Sequence, residues 1–552
     1  MSYAFDASES SAVNGEIDAY DWEFGDGETG SGQTVTHTYD EAGEKDVILT
    51  VTDEDGNTGS STQTISVAQS YDYSSEYAYN LNVIYFTPTN VDPLPDYRSR
   101  LSGFLLYIQD YYRQWMEEWG HGEKTFGLLK DEEEQMVKIT RIEGEGPVSD
   151  YPNDGGGRAV REEVREYFEN ADEEPDSKHY LVFMPKPDDL EASLPYYAIG
   201  RWGFVTDIGQ NGERAPNEGG GVAHELGHAI NLPHNAHRQS HKQDFGTALM
   251  NNGNNVWNHE GGAPATSLTE ASAEIANVSQ VMSRTEGSFY GDVSTKLLAS
   301  KGRSVNGDIE ISGVFDTDTA VKNAVVVLDP EGRGTYNQIG IMRPVIEADS
   351  FHASIPTSEL SKTQNAEYEA KVWLVHENGY RTNLQLPDFA FENGEPNIDF
   401  GYPKVNTLPK DDWKLLDFSD EEVENDKLAE YIIDGYFGTY WHSRYTPERV
   451  DHPHSFTIDM GESLTVDGFQ FVQRIAGNRE GGTRLKDFDL EVSDDGESWE
   501  TLGEYTLDNT REPQVIEFSN TKQFRYFKIT TRNSHGGYGS LATLAEVGVF
   551  QE

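Results

Sequence analysis

The chain has 552 residues, no cysteine, and 97 Asp and Glu against 42 Lys and Arg, for a formal net charge of −55. Phosphate is repelled by such a surface, which excludes nucleic acid as a partner. The lack of cysteine excludes a disulfide framework, and no apolar run is long enough to form a membrane span.

At this length three or four domains are expected, and 36% hydrophobic residues with nine Trp suffice for several cores. The richness in Tyr, Phe, Val and Ile speaks for a folded acidic protein rather than a disordered one. Two readings of the acidity stand together. One is adaptation to high salt, where ions screen self-repulsion to within a few Å; the other is calcium binding. Met1 and Ser2 lead straight into a domain-like run, so no leader segment is expected here.

Residues 1–69 read as short β-strands separated by turns. In Tyr20-Asp21-Trp22-Glu23-Phe24-Gly25-Asp26-Gly27 the aromatics alternate, so Tyr20, Trp22 and Phe24 share one face of a strand. Strand-like runs follow at Thr36 to Tyr39 and Val47 to Asp53. This segment resembles the PKD domain, an immunoglobulin-like β-sandwich. The resemblance implies a spacer or surface-adhesion module.

Residues 70–299 are mixed α/β. Asn80 to Phe86 and Tyr180 to Met184 read as buried strands, with a further strand near Gln135 to Ile142. Between about Tyr97 and Trp119, Leu101, Phe104, Leu105, Ile108, Tyr112 and Trp115 fall at helical spacing, and a second helix covers about Arg158 to Phe168. The tryptophans of the first helix are expected in the core. Gly219, Gly220 and Gly221 read as a flexible entry to a third helix.

That third helix carries His224-Glu-Leu-Gly-His228-Ala-Ile-Asn-Leu-Pro-His234. On a helix, His224 and His228 lie one turn apart on one face and can meet one metal ion. Glu225 points off that axis, where it can take a proton from water held at the ion. His234 reaches the same ion only if the chain turns. Asn231 enters the left-handed region cheaply and can end the helix, and Pro233 forbids its continuation. Three protein ligands with one open position suit a catalytic zinc. Nearby His237, His241, Asp244, Glu270 and Glu274 stand as rival third ligands, with His237 and His241 read otherwise as solvated loop residues.

The stretch resembles the metzincin metalloproteases, with Asn231 where that family has Gly. The run Phe245 to Gly253 looks like its Met-turn, which makes Met250 the apolar floor under the ligands. The resemblance implies zinc on His224, His228 and His234 with Glu225 as the catalytic base. Asn252 stands where some members use a tyrosine.

Residues 300–402 read as a second β-sandwich, with strands at Gly307 to Val314, Ala324 to Leu328 and Glu367 to His376. No motif there carries chemistry, and a linking scaffold is expected. Residues 403–552 hold Ile433-Asp434-Gly435, Thr439, Trp441-His442-Ser443, Phe456 to Gly461, Val492 to Gly496 and Arg525 to Ile529 in order. They resemble the discoidin, or coagulation-factor type C, family, a galactose-binding-like jelly roll. The resemblance implies calcium near Asp434, Thr439 and Glu546. It also implies a glycan or other ligand in end loops bearing His442, Arg474, Asn478, Arg479, His535 and Tyr538. Trp441 is expected in the core.

The whole reads as a multidomain protein: an α/β zincin-like catalytic domain flanked by immunoglobulin-like β-sandwiches, with a C-terminal β jelly roll. The expected function is a secreted, monomeric, zinc-dependent endopeptidase acting on extracellular proteins or glycoproteins, with calcium as a second cofactor. An adhesin with an inactive zincin domain is the alternative, and an esterase or deacetylase using the same zinc chemistry is a third reading.

Overall fold

The computed structural model describes residues 2–13, 15–67, 69, 71–171, 173–209, 215–253, 257, 266–330, 336–342, 349–475, 482–536 and 540–552. It describes 215–218, 341 and 342 by backbone alone. The chain forms two compact units, Met1–Ser74 with Leu129–Lys138, and Ser75–Leu128 with Ile139–Glu552.

In the first unit β1 (Ser2–Asp6) pairs with β4 (Thr34–Thr38). A second antiparallel sheet runs in the order β3 (Thr29–Ser31), β2 (Ile17–Glu23), β5 (Gly43–Asp53), β6 (Thr58–Val67). Pleating sends alternate residues to one face, so Trp22 and Phe24 enter the core with Ala7, Tyr39, Val47 and Val67, and Tyr20 packs at its margin. Their polar edges are satisfied. Trp22 Nε1 donates to Gly32 O at 3.0 Å, and the Tyr39 hydroxyl donates to Phe24 O at 2.9 Å. A hairpin of β8 (Lys130–Asp131) and β9 (Met136–Val137) belongs to this unit.

The second unit opens with a five-stranded sheet in the order β10 (Thr140–Glu143), β7 (Asn82–Thr87), β11 (Tyr180–Pro185), β13 (Trp202–Asp207), β12 (Tyr197–Ile199). The first four are parallel, and β12 runs antiparallel at the edge. Every residue of β7 and β11 is buried, as expected of a sheet covered on both faces. Ile84, Phe86, Val182 and Met184 pack on Val160 and Val164 of α2 (Gly156–Ala171). On the other face Tyr85 stacks on Tyr97 of α1 (Tyr97–Glu118). From α1 the Tyr112 hydroxyl donates to Ala223 O of α3 (Ala215–Ala229) at 3.1 Å. Trp119 Nε1 donates to Leu268 O at 3.0 Å, and its ring packs on Phe245 at the end of α4 (Gln239–Phe245).

Gly219, Gly220 and Gly221 lie inside α3, which corrects the expected flexible entry. Gly219 and Gly221 are spacers for packing: a Cβ on Gly219 would lie 2.7 Å from Trp257 Nε1, and one on Gly221 within contact of the Tyr196 hydroxyl. After α3, β14 (Thr247–Ala248) pairs with β15 (Thr266–Ser267), and α5 (Glu270–Asn277) follows, capped by the Thr269 side chain accepting from Ser272 N.

Next comes a sandwich. One sheet runs β20 (Ser350–Ile355), β17 (Asp308–Thr317), β16 (Thr295–Val305), β25 (Asp399–Phe400). The other runs β19 (Ile339–Met342), β18 (Val321–Asp329), β21 (Glu367–His376), β23 (Phe389–Glu392), β24 (Glu395–Asn397), with β22 (Arg381–Gln385) beside β21. Ile309, Val326, Phe351, Val372 and Phe389 are among its core residues.

The last domain has a sheet β26 (Lys414–Phe418), β28 (Ser455–Val472), β31 (Gln514–Thr531), β29 (Asp487–Ser493), β30 (Glu500–Thr506), with β33 (Glu546–Phe550) on β28. A short pair joins β27 (Trp441–His442) and β32 (Thr543–Leu544). Trp441 is fully buried among Phe456, Ile458 and Leu544. The protein is thus multidomain and mostly β-sheet, and among the described residues no sheet closes into a barrel. No described helix is long and apolar enough to cross a membrane.

Candidate metal centre

Helix α3 ends in a Schellman motif. Asn231 has φ 74°, Leu232 N donates to Gly227 O at 2.9 Å, and Asn231 N donates to His228 O at 2.9 Å. The chain reverses there, and Pro233 carries it away from helix. His234 is thereby brought beside His228, their Nε2 atoms 3.0 Å apart. One ring nitrogen from each of His224, His228 and His234 lies within 4.8 Å of the other two. Two imidazoles on one tetrahedral zinc hold their nitrogens roughly 3.3 Å apart, from bond lengths near 2.05 Å, so the His228–His234 pair is already near ligand spacing and small side-chain adjustments would bring all three onto one ion. Among the described residues no rival acid or histidine joins it.

Tautomers are set by the backbone. His224 Nδ1–H donates to Leu249 O at 2.7 Å and His228 Nδ1–H to Leu232 O at 2.8 Å, which leaves both Nε2 lone pairs free for a metal. Burial favours the neutral ring. It lowers His224, and with His224 as neighbour it lowers His228 and His234 to about 4, so all three are in the ligating form at neutral pH. Glu225 Oε2 is buried with no partner among the described residues, and burial raises this carboxyl to about 7. Met250 is buried against α3, where a Cβ on Gly227 would come within 2.5 Å of its sulfur. Asn252 is exposed, its N–H donating to Asn251 Oδ1.

Three contributions escaped the sequence. His179 is fully buried, donating from Nδ1 to Ala229 O at 2.7 Å, with Nε2 2.7 Å from the Tyr290 hydroxyl. It buttresses the end of α3, and nothing in its local sequence marks it. Tyr336 stacks on His234 with centroids 3.8 Å apart, and Gln338 Nε2 donates to His234 O. Both come from the sandwich, so that domain helps to build the site and is more than the linking scaffold expected. His237, read as a solvated loop residue, is buried, with Nε2 2.5 Å from Ser267 Oγ. His241 is half-buried against Trp119.

In the jelly roll Asp434, Thr439 and Glu546 are brought together. Thr439 Oγ1 donates to Asp434 Oδ2 at 2.7 Å, and Gly435 N donates to Glu546 Oε2 at 3.2 Å. The Lys410 ammonium pairs with Glu546 and donates to Val547 O at 2.5 Å. The side chain of Lys410 thus lies beside Glu546 where the sequence reading put calcium, and burial lowers this lysine to about 7. His442 is buried, its Nδ1 donating to Ser443 O and its ring packed edge-on against Tyr445. Arg474 lies over Tyr440 at 4.7 Å. His535 Nε2 donates instead to Leu507 O at 2.9 Å. Asn478, Arg479 and Tyr538 lie outside the described residues.

A PKD domain family matches residues 1–68, and an F5/8 type C domain family matches residues 418–544. The chain carries both domains. Wild-type OgpA from Akkermansia muciniphila is 29% identical with a TM-score of 0.52, over 60% of this chain and 97% of that one. A catalytically inactive OgpA in complex with an O-glycopeptide (glycodrosocin) substrate is 28% identical with a TM-score of 0.53, over 60% and 97%. Collagenase ColA of Clostridium perfringens (strain 13 / Type A) is 45% identical over 65 residues, 12% of this chain and 6% of that protein. A sialidase of Micromonospora viridifaciens is 24% identical over 130 residues, 23% of this chain and 20% of that protein. The chain spans a fifth or less of these two curated relatives.

Proposed function

We propose that this protein is a secreted zinc peptidase of metzincin type that cleaves O-glycosylated proteins. The observation that carries the reading is a trio of neutral imidazoles converging beside the unpartnered carboxylate oxygen of Glu225. The likeness to OgpA, crystallised with an O-glycopeptide, supports the substrate class.

His224, His228 and His234 would hold the metal. Zinc bound there supplies Lewis acidity, polarising a carbonyl and bringing water towards a pKa of about 7. Glu225 takes the proton of the attacking water and returns it to the leaving nitrogen. The Leu249 and Leu232 carbonyls keep two of the imidazoles oriented throughout. The F5/8 type C domain would hold glycan and raise the local substrate concentration, and the PKD domain would act as a spacer.

The test is digestion of a mucin-type glycoprotein with and without a chelator, beside metal analysis of two variants. Glu225→Gln should keep its metal and lose turnover by on the order of 10³ or more. His234→Ala should lose the metal. Binding of the glycoprotein with no cleavage by the metal-loaded wild type would instead establish the adhesin.

A further inference from the structure

A cavity of 530 Å³ opens beside His228 and His234, and a second of 400 Å³ adjoins it, sharing Gly200 and Arg201. The first is walled by His228, His234, Arg201, Tyr290, Tyr380 and Arg381. Arg161, Arg165, Lys178 and again Arg201 line the second. In a chain with 97 acidic residues against 42 basic ones, no Asp or Glu lines either cavity. Among the described residues none of these five cations forms an ion pair.

Rings hold the guanidinium groups instead. Arg165 lies over Trp202 at 5.7 Å, Arg201 over Tyr290 at 4.1 Å and Arg381 over Trp373 at 4.8 Å. Stacking fixes the plane of a guanidinium and leaves its N–H edge to donate. Arg381 Nη1 donates to Asn383 Oδ1 at 2.7 Å, but its Nε and that of Arg161 are buried with no partner among the described residues. Such donors carry a desolvation cost that an incoming acceptor would relieve. A carboxylate does so with two parallel bonds per arginine. Elsewhere the net charge of −55 repels acidic ligands, so an unpaired basic strip beside the histidines acts against the field of the whole molecule.

We infer that this strip is a subsite for a carboxylate carried by the substrate, from an acidic sugar of its glycan or from an acidic side chain near the scissile bond. The inference rests on the peptidase reading of the same site and adds a charge preference to it.

Its test uses the full metal-loaded chain and three O-glycopeptides: one neutral throughout, one with a terminal sialic acid on the same glycan, and one with a Gln replaced by Glu. At least one acidic peptide should exceed the neutral one in kcat/KM by on the order of tenfold, and which one it is identifies the source. The ratio should fall towards one in Arg381→Gln and in Arg165→Gln, and shrink with added salt. Arg165 is exposed, so its variant keeps the test open if loss of the Arg381 stack on Trp373 impairs folding. Arg303→Gln, which breaks an outlying pair with Glu310, should keep the ratio.

Equal rates on all three peptides, or a ratio that survives both arginine replacements, would overturn the inference and leave the peptidase reading standing. If no peptide is cleaved, the peptidase reading fails. Binding of the same peptides to the Glu225→Gln protein then decides the subsite by the same ratios.

Discussion

At the scale of single residues, the centre depends on what surrounds the imidazoles as much as on the imidazoles themselves. Each of two Nδ1 atoms is tied to a backbone carbonyl, so ring orientation is set before any ligand arrives. Gly227 is the tightest point. Its missing Cβ is the space into which the Met250 sulfur fits, with the Tyr112 hydroxyl 3.2 Å away. Helix propensity alone would make Gly227→Ala stabilising by up to ~1 kcal/mol. Overpacking in a buried contact costs ~1–3 kcal/mol and should win, because Met250 is itself buried and has little room to withdraw. Chemical denaturation should therefore show a lowered midpoint for Gly227→Ala, partly restored by Met250→Ala in the same chain. An unchanged or raised midpoint would mean that the methionine moves freely.

At the scale of elements, the Schellman turn decides where the third imidazole goes. Asn231→Gly should be tolerated, since glycine adopts positive φ without strain. Asn231→Val should cost ~1–2 kcal/mol or more and weaken zinc retention against a competing chelator. Equal retention in the two variants would show that this turn does not place His234. The jelly roll offers a pH-dependent pair between strands. Arg525 on β31 donates twice to Asp459 on β28, at 2.7 and 2.8 Å, and holds that carboxyl below its usual range. A group depressed in the folded state stabilises above its unfolded pKa, near 3.9 for Asp, and loses that contribution as pH falls through the folded value. The stability gap between wild type and Asp459→Asn should be constant near neutrality and close below about pH 4. A gap unchanged at pH 2 to 3 would contradict the pairing.

At the scale of the whole molecule, charge dominates. With −55 formal charges the folded chain repels itself, and screening lengths fall from about 10 Å at 0.1 M to about 3 Å at 1 M salt. The unfolding midpoint should rise over that range. Because Lys410 already pairs with Glu546, a calcium chelator at constant ionic strength should leave the midpoint in place. A large drop on chelation would establish calcium in the jelly roll.

Much of the site was legible because it is local. His224, Glu225 and His228 are one helical turn, Asn231 and Pro233 end that turn, and such spacings follow from backbone geometry that any solvent-side environment shares. The alternation at Tyr20, Trp22 and Phe24 and the apolar spacing of α1 were readable for the same reason. What lies far apart in the chain was not. His179 under α3, Tyr336 on His234 and the arginines gathered from α2, the loop before β13 and the start of β22 come together only through packing. No periodicity records a contact between residues a hundred positions apart. Gly219 and Gly221 of α3 show the same division: as a sequence they read as slack, while in the fold they are the spaces that neighbouring side chains fill. Composition and local spacing determined the chemistry this chain can attempt, and tertiary packing decided which distant charges and rings stand around it.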